Sequence, residues 1–331
     1  MANRIKEKYM AGKRYFDYPM LFLVIFLICF GLVMIYSTSS YKSTVTYGNS
    51  YHWLLRQAVA IVLGAVAMVV CCKLDYHIIK SEKFGNGCYW ASIVLLVLVL
   101  IIGAAKKGAV RWISIAGFQF QPSEVSKILV VIYLANRLSA NAHKIRTFKD
   151  SIVIVLPTVP IIALIVTQNL STALVVCSMI GVMLFVVSPK MKELMLTAGG
   201  GIILLFVYLL TANSYRNERV QIWLHPESHK KGFQTMQALY AIGSGGIFGK
   251  GLGQSMQKMG FIPESHNDMI FSIICEELGL FGAVCLILVF VALIFRMLLI
   301  ALNTEDLFGS LVVIGFMTHL SLIHISEPTR P

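Results

Sequence analysis

Charge is what this sequence has least of. Only 13% of its 331 residues are Asp, Glu, Lys or Arg, 57% are hydrophobic, and mean hydropathy is +0.76. Soluble domains carry roughly 25% charged residues, so a water-soluble globular enzyme is excluded. Paired cysteines are missing as well. Cys29, Cys71, Cys72, Cys88, Cys177, Cys275 and Cys285 lie within or at the edges of apolar runs, form no CxxC, and leave the longest polar loop empty. A disulfide framework is thereby excluded, and the thiols read as small packing groups. No HExxH and no His/Cys cluster points to a structural metal. A cleavable leader is not expected, because the first apolar run is too long and lacks a small-residue cleavage site. The net charge of +12 is no nucleic-acid signal, since the basic residues flank apolar runs.

What is present is a series of apolar stretches of membrane length, about 20 residues each. They cover 19–40, 54–72, 88–104, 123–138, 152–168, 172–188, 192–212 and 269–295, with a ninth beginning near 307. The fold class expected is an all-α polytopic membrane bundle. Residues 1–18 precede the membrane domain, 19–320 form it, and 213–268 make a large extracellular loop between the seventh and eighth spans. Arg4, Lys6, Lys8, Lys13 and Arg14 place the N-terminus in the cytoplasm by the positive-inside rule. Lys73, Lys80 and Lys83, then Lys144, Arg146 and Lys149, then Lys190 and Lys192, and Arg296 agree in alternate loops.

Two outward loops break that rule. Segment 105–122 carries Lys106, Lys107 and Arg111, and segment 213–268 carries Arg216, Arg219, Lys230, Lys231, Lys250 and Lys258 against four acids. Long loops translocate regardless of charge, which is the bland account. The sharper one is an anionic ligand, such as a pyrophosphate, at the outer surface.

Three constellations can carry chemistry. The first runs from Arg111 through Trp112, Phe118 and Pro122 to Lys127, with Ser123 as the expected helix cap. Glu124 and Lys127 are three apart, so they meet on one helix face, either as a structural ion pair or as part of a substrate groove. The second is the outer loop, with Tyr215 to Arg219, Trp223, and six glycines within residues 243–253. Its glycines are not spaced as a phosphate-cradling Walker loop and read more readily as a flexible turn. The third is Phe261-Ile262-Pro263-Glu264-Ser265-His266-Asn267-Asp268, which leads straight into an apolar helix containing Glu276 and Glu277. Asp268 is placed either to cap that helix or to act on a lipid-linked substrate at the membrane boundary. Glu276 and Glu277 are placed to pair with buried cations.

The strings RWISIAGFQFQPSEVSK (111–127), YRNERVQIWLHP (215–226), QALYAIGSGGIFGKGLGQSMQK (237–258) and FIPESHNDMIFSIICEELGLFG (261–282) resemble, in order and spacing, the SEDS family of bacterial cell-wall polymerases. That family includes FtsW, RodA and SpoVE. The resemblance runs over about residues 17 to 320 and implies a ten-helix bundle, of which about nine helices are present here. It implies an inverting glycosyltransferase that polymerises lipid II at the outer face of the plasma membrane, beside a class B penicillin-binding transpeptidase and other membrane proteins of the division complex. Asp268 matches the family's essential loop aspartate. Glu124 and Lys127 match its fourth-helix pair, and Arg216 and Arg219 its loop arginines. A pyrophosphate leaving group departs without protonation if cations or a metal stabilise it, so one base suffices. Asp268 is the candidate base. Arg216, Arg219 and Lys250, or a divalent cation such as Mg2+ or Mn2+, are candidates to hold the pyrophosphate, and Arg111, Glu124 and Lys127 complete the expected substrate set.

Two departures stand out. Gln168-Asn169-Leu170-Ser171-Thr172 has Asn169 where the family often has Asp, a form associated with FtsW-like members and hence with division. Residues 321–331, ending in Pro328-Thr329-Arg330-Pro331, look foreign to the family, whose tenth helix would follow. The same reaction serving elongation or sporulation, a lipid II flippase, and a pure scaffold are the alternatives. A flippase needs no base at Asp268.

Overall fold

The computed structural model describes residues 16–106, 109–115, 118–145, 147–188, 193, 199–200, 221–222, 224–228, 232–262 and 265–326. The expected span 192–212, together with Arg216, Arg219, Trp223 and Glu264, lies almost wholly outside them. The helices in chain order are α1 Tyr18–Tyr47, α2 His52–Lys73, α3 Glu82–Ile102, α4 Pro122–Asn141, α5 Phe148–Val155, α6 Val159–Gln168, α7 Leu170–Val187, α8 Phe233–Gly245, α9 Ile270–Asn303 and α10 Leu307–Ser326. Among the described residues six segments are long and apolar enough to cross a membrane, and 307–322 forms a shorter apolar helix. The polytopic helical bundle is therefore as expected.

Local chemistry sets the boundaries. Asp17 accepts from the Met20 N–H at 2.9 Å and Pro19 occupies the first turn of α1, whose far end stops at Gly48 in a left-handed conformation. The fifth span breaks at Leu156-Pro157-Thr158, where a 3-10 turn separates α5 from α6 because a proline lacks the N–H that would continue the ladder.

Two expectations need correction. The segment expected as an outward loop carries a three-stranded antiparallel meander: β1 (Ala104–Lys106), β2 (Ala109–Ile115) and β3 (Phe118–Phe120) pair in that order. The alternation in Trp112-Ile113-Ser114-Ile115 is the period-2 signal that sequence reading passed over. The cap of α4 is Gln121, not Ser123. Pro122 opens the helix, where its missing N–H costs nothing, and Ser123 accepts instead from Gln121 Nε2 at 2.9 Å. Separately, α10 continues to Ser326, so the segment expected to be a foreign tail begins in helix.

The core gathers around α4, which packs against α3, α7 and α10. Leu134 and Leu138 of α4, Leu96 of α3, Ile161 and Ile165 of α6, Met183 of α7, and Phe308 and Leu311 of α10 are buried together. In lipid such contacts stabilise by close packing rather than by removal from water. Asn136 donates to Ile79 O at 2.8 Å from within α4, tying it to the start of α3. A second group, α1, α8 and α9, carries the polar sites described next, and α9 joins the two groups by packing on α10.

Candidate active site at the head of the long kinked helix

Gly279 interrupts α9 with φ 69° and ψ −171°. A break in a membrane helix strands backbone groups in a medium that cannot solvate them. Here the glycine-rich loop after α8 supplies the partners. Lys250 N–H donates to Glu276 O and Gly251 N–H to Glu277 O, both at 2.9 Å, while Leu280 N–H donates to Gly246 O at 2.9 Å and Phe281 N–H to Ile247 O at 3.0 Å. The two chains approach so closely that a Cβ at Gly249 would strike Glu277 O, and one at Gly279 would strike Gly249 N. Both glycines also have positive φ. The glycines thus serve as a backbone clasp on α9, and the loop is not a free turn.

Two adjacent carboxylates lie inside this clasp. Glu276 and Glu277 are fully buried. Glu276 Oε1 accepts from Lys250 Nζ at 2.7 Å and from Met256 N–H at 3.3 Å, and its Oε2 accepts from the Ser255 hydroxyl. Glu277 Oε1 accepts from Lys258 Nζ at 2.7 Å, and Ser37 of α1 donates to both its oxygens at 2.7 and 2.8 Å. Glu277 thus pairs with a buried cation as expected, Lys258 being 5% exposed, whereas the partner of Glu276, Lys250, is 36% exposed. Lys250, expected to hold pyrophosphate, is engaged within the protein here. Its ammonium is held by Glu276 and by Ser244 Oγ at 2.9 Å, so the protein already neutralises its charge.

The depth of this layer follows from an ion pair at the other end of the same helices. Arg296 of α9 meets Asp17, just before α1, at 2.6 Å. From that pair, Ser37 along α1 and Glu276 along α9 both lie about 20 residues away, or ~30 Å, the thickness of a bilayer's hydrocarbon core. Burial works against ionisation of Asp17, but the Met20 N–H and the Arg296 guanidinium outweigh it and hold its carboxyl below the usual range.

Asp268 stands just outside the inner polar layer, half-buried, in the turn 265–269 that precedes α9. The N-cap of α9 is Met269, which Asp268 precedes by one residue. The turn is anchored on the α1–α2 hairpin. Ser265 Oγ donates to Thr38 O at 3.4 Å, and the buried His266 ring lies 4.9 Å from that of Trp53. Trp53 is itself set edge-on to His52, which stacks on Tyr47 at 3.9 Å. An aromatic wall from α1 and α2 therefore fixes the turn that carries the carboxylate.

The α4 pair forms as its spacing required: Lys127 Nζ meets Glu124 Oε2 at 2.8 Å, with Lys127 5% and Glu124 47% exposed. The lysine is sunk into the bundle and the carboxylate reaches its surface. His319 of α10 lies within electrostatic reach of both, and sequence reading had not singled it out. Arg111 belongs to β2, immediately before α4's approach, but its side chain, like Arg216 and Arg219, lies outside the described positions. The structure thus groups Asp268 with α1, α2 and α9, and Glu124 with Lys127 and α10. Lys258, counted among the loop cations facing an anionic ligand, instead pairs with the buried Glu277, and Ser37 was missed. The signal was available in Ser37-Thr38-Ser39-Ser40, a hydroxyl run inside an otherwise apolar helix. Among the described residues no three His, Cys, Asp or Glu side chains converge as a metal site. They do not by themselves build a site for Mg2+ or Mn2+, which would take its remaining ligands from phosphate and water.

The sequence model of the family described as "Cell cycle protein", FtsW/RodA/SpoVE, matches residues 18–326. A probable peptidoglycan glycosyltransferase FtsW of Geobacter metallireducens is 35% identical over 317 residues, covering 93% of this chain and 83% of that protein. Stage V sporulation protein E of Bacillus subtilis is 34% identical over 316 residues, covering 92% and 84%. Among solved structures, a chain of a peptidoglycan synthase complex that coordinates polymerization and crosslinking superposes with TM-score 0.76 at 27% identity, covering 93% of this chain and 85% of that one. Rod shape determining protein RodA of Thermus thermophilus gives 0.67 at 26% identity, covering 94% and 84%. With a family match over nearly all its described length and a bundle of the same shape, the chain belongs to the FtsW/RodA/SpoVE family.

Proposed function

We propose that this protein is a peptidoglycan glycosyltransferase of cell division that polymerises lipid II into glycan strands at the outer face of the membrane. The observation that carries the reading is the setting of Asp268: a half-buried carboxylate beside an aromatic wall, next to a polar layer about one hydrocarbon thickness from the Asp17–Arg296 pair. A lipid-linked sugar presents its reacting carbons at that height.

Asp268 accepts the proton from the C4 hydroxyl of the acceptor sugar as that oxygen attacks the anomeric carbon of the donor. The bond from that carbon to the lipid pyrophosphate breaks, configuration inverts, and the pyrophosphate leaves as an anion. Arg216 and Arg219 are the cations proposed to receive it, with Arg111 and the Glu124–Lys127 pair lining the approach for substrate. The relatives named FtsW favour division over elongation or sporulation. The solved synthase complex supports a class B penicillin-binding transpeptidase as partner, and the basic N-terminus supports a cytoplasmic start.

The test is lipid II polymerisation in liposomes by the full-length protein with its transpeptidase, wild type against Asp268→Asn. Strands from the wild type alone are expected. Strands from both would move the base elsewhere, and strands from neither, with lipid II still crossing the bilayer, would favour a flippase.

A further inference from the structure

One cavity has no part in this chemistry as described. A groove of about 550 Å3 runs between the outer end of α1 and residues 252–259, lined by Tyr36, Ser40, Tyr41, Thr44, Lys258 and Met259 among others. Its height follows from α1. That helix has 30 residues, about 45 Å, and so overshoots a ~30 Å hydrocarbon core by several turns. Ser37 marks the polar layer, and Ser40 to Thr44 stand above it, at headgroup level. They stand on the side of Asp268, since the neighbouring Thr38 accepts from Ser265 in the Asp268 turn.

The chemistry of the walls is specific. Lys258 is neutralised by Glu277, and its bonds to Glu277 at 2.7 Å and Ser37 at 3.0 Å leave one of its three N–H donors for a ligand. The site therefore presents a donor without net positive charge, which is poor for a phosphate. Thr44 Oγ1 donates to Ser40 O at 2.9 Å, and Ser40 Oγ to Ser37 O at 3.4 Å, so both hydroxyl oxygens remain as acceptors. Tyr36 is held flat against Tyr51, with ring centroids 5.5 Å apart, and Tyr41 lies beside Gly260. Exposed tyrosines at a helix end alone would be an interfacial belt. A belt does not explain hydroxyls and a buried lysine under a roof of loop. Along α1, Tyr36 to Thr44 spans about 12 Å, on the order of two sugar rings.

We propose that this groove is a carbohydrate subsite that holds the uncharged sugar rings of the glycan next to the unit at Asp268. The proposal rests on the glycosyltransferase reading for its ligand, but it is tested by binding rather than by turnover. Aromatic faces stack on sugar rings, the hydroxyls and the lysine read their substituents, and the absence of net charge discriminates against the pyrophosphate end.

The experiment measures binding of a soluble β-1,4-linked N-acetylglucosamine tetrasaccharide to the full-length protein in detergent, by calorimetry. Thr44→Trp fills the groove from an exposed helix position, Tyr41→Ala removes a stacking face, and Phe248→Ala alters a loop side chain outside the groove. Wild type and Phe248→Ala are expected to bind alike, and each groove variant at least tenfold more weakly. Inorganic pyrophosphate should not displace the sugar. Absence of wild-type binding, unchanged binding by both groove variants, or displacement by pyrophosphate would overturn the subsite. Lipid II polymerisation on the same preparations separates the two readings: an active wild type that fails the binding test loses the groove alone, whereas an inactive wild type that passes it loses the enzyme reading and keeps the groove.

Discussion

Ser37 and Glu277 are 240 residues apart and joined by one hydroxyl shared between both carboxylate oxygens, at 2.7 and 2.8 Å. The contact welds the first helix to the kink of the ninth, and Lys258 completes it from the loop that leads to Asp268. Several consequences for stability and activity begin from this contact.

Removing Glu277 strands a buried ammonium. Glu277→Ala should destabilise the protein by about 3–5 kcal/mol, the cost of breaking a buried pair from one side. Ser37→Ala, which deletes one donor to a carboxylate that keeps its lysine, should cost about 1–3 kcal/mol. Thermal unfolding in detergent reads both. Equal melting temperatures for Glu277→Ala and wild type would mean the pair is solvated.

Gly249→Ala meets two obstacles at once. The left-handed backbone costs about 1–2 kcal/mol for an L-residue, and the new methyl strikes Glu277 O. The loop should detach from α9, so protease cleavage within 243–262 should rise sharply and polymerisation fall with it. A variant as resistant as wild type would show that the clasp opens without cost.

The Glu124–Lys127 pair separates structure from substrate contact. Glu124→Ala leaves Lys127 buried without its carboxylate, and adding Lys127→Met removes the charge while keeping the shape. The double variant should recover most of the melting temperature lost by Glu124→Ala, and a cycle of the four proteins isolates the coupling. If the pair also lines the substrate path, polymerisation stays low in the double variant. Full recovery of both would reduce the pair to a structural role.

Acid should act first at the Lys80–Asp306 contact. Asp306, 22% exposed, accepts from Lys80 at 2.7 Å. Burial opposes its ionisation, but Lys80 and the Gly309 N–H outweigh that and hold its carboxyl below the ordinary value. The folded pKa is the lower one, so the stabilisation is present above the unfolded value and lost as pH falls through the folded one, below about pH 4. With Lys80 44% exposed, the gain is about 1 kcal/mol or less. Melting temperatures of wild type and Asp306→Asn should differ at pH 7 and converge at pH 3. A constant offset would assign the difference to something other than charge.

The bundle was legible because apolar length is a one-dimensional property. Runs such as 54–72 and 172–188 need no knowledge of their neighbours to be read as spans. The pair Glu124 and Lys127 was legible for the same reason, three residues on one helix being fixed neighbours. What stayed hidden was long-range. Nothing local to Lys250 says that Glu276 is its partner, and nothing local to Gly249 says that a kink 30 residues later needs its backbone. The meander at 104–120 was obscured by its short strands, whose alternation covers too few residues to outweigh the glycine and lysine around them.

The Asp17–Arg296 pair and the Ser37–Glu277–Lys258 cluster are charged layers joined by the same two helices, α1 and α9. Their separation is a fixed length of the protein. A bilayer thinner or thicker than that length must either deform or drag one layer into acyl chains, at fractions of a kcal/mol per ångström. The protein is therefore strained least in a bilayer whose hydrocarbon thickness matches the distance between its two charged clusters.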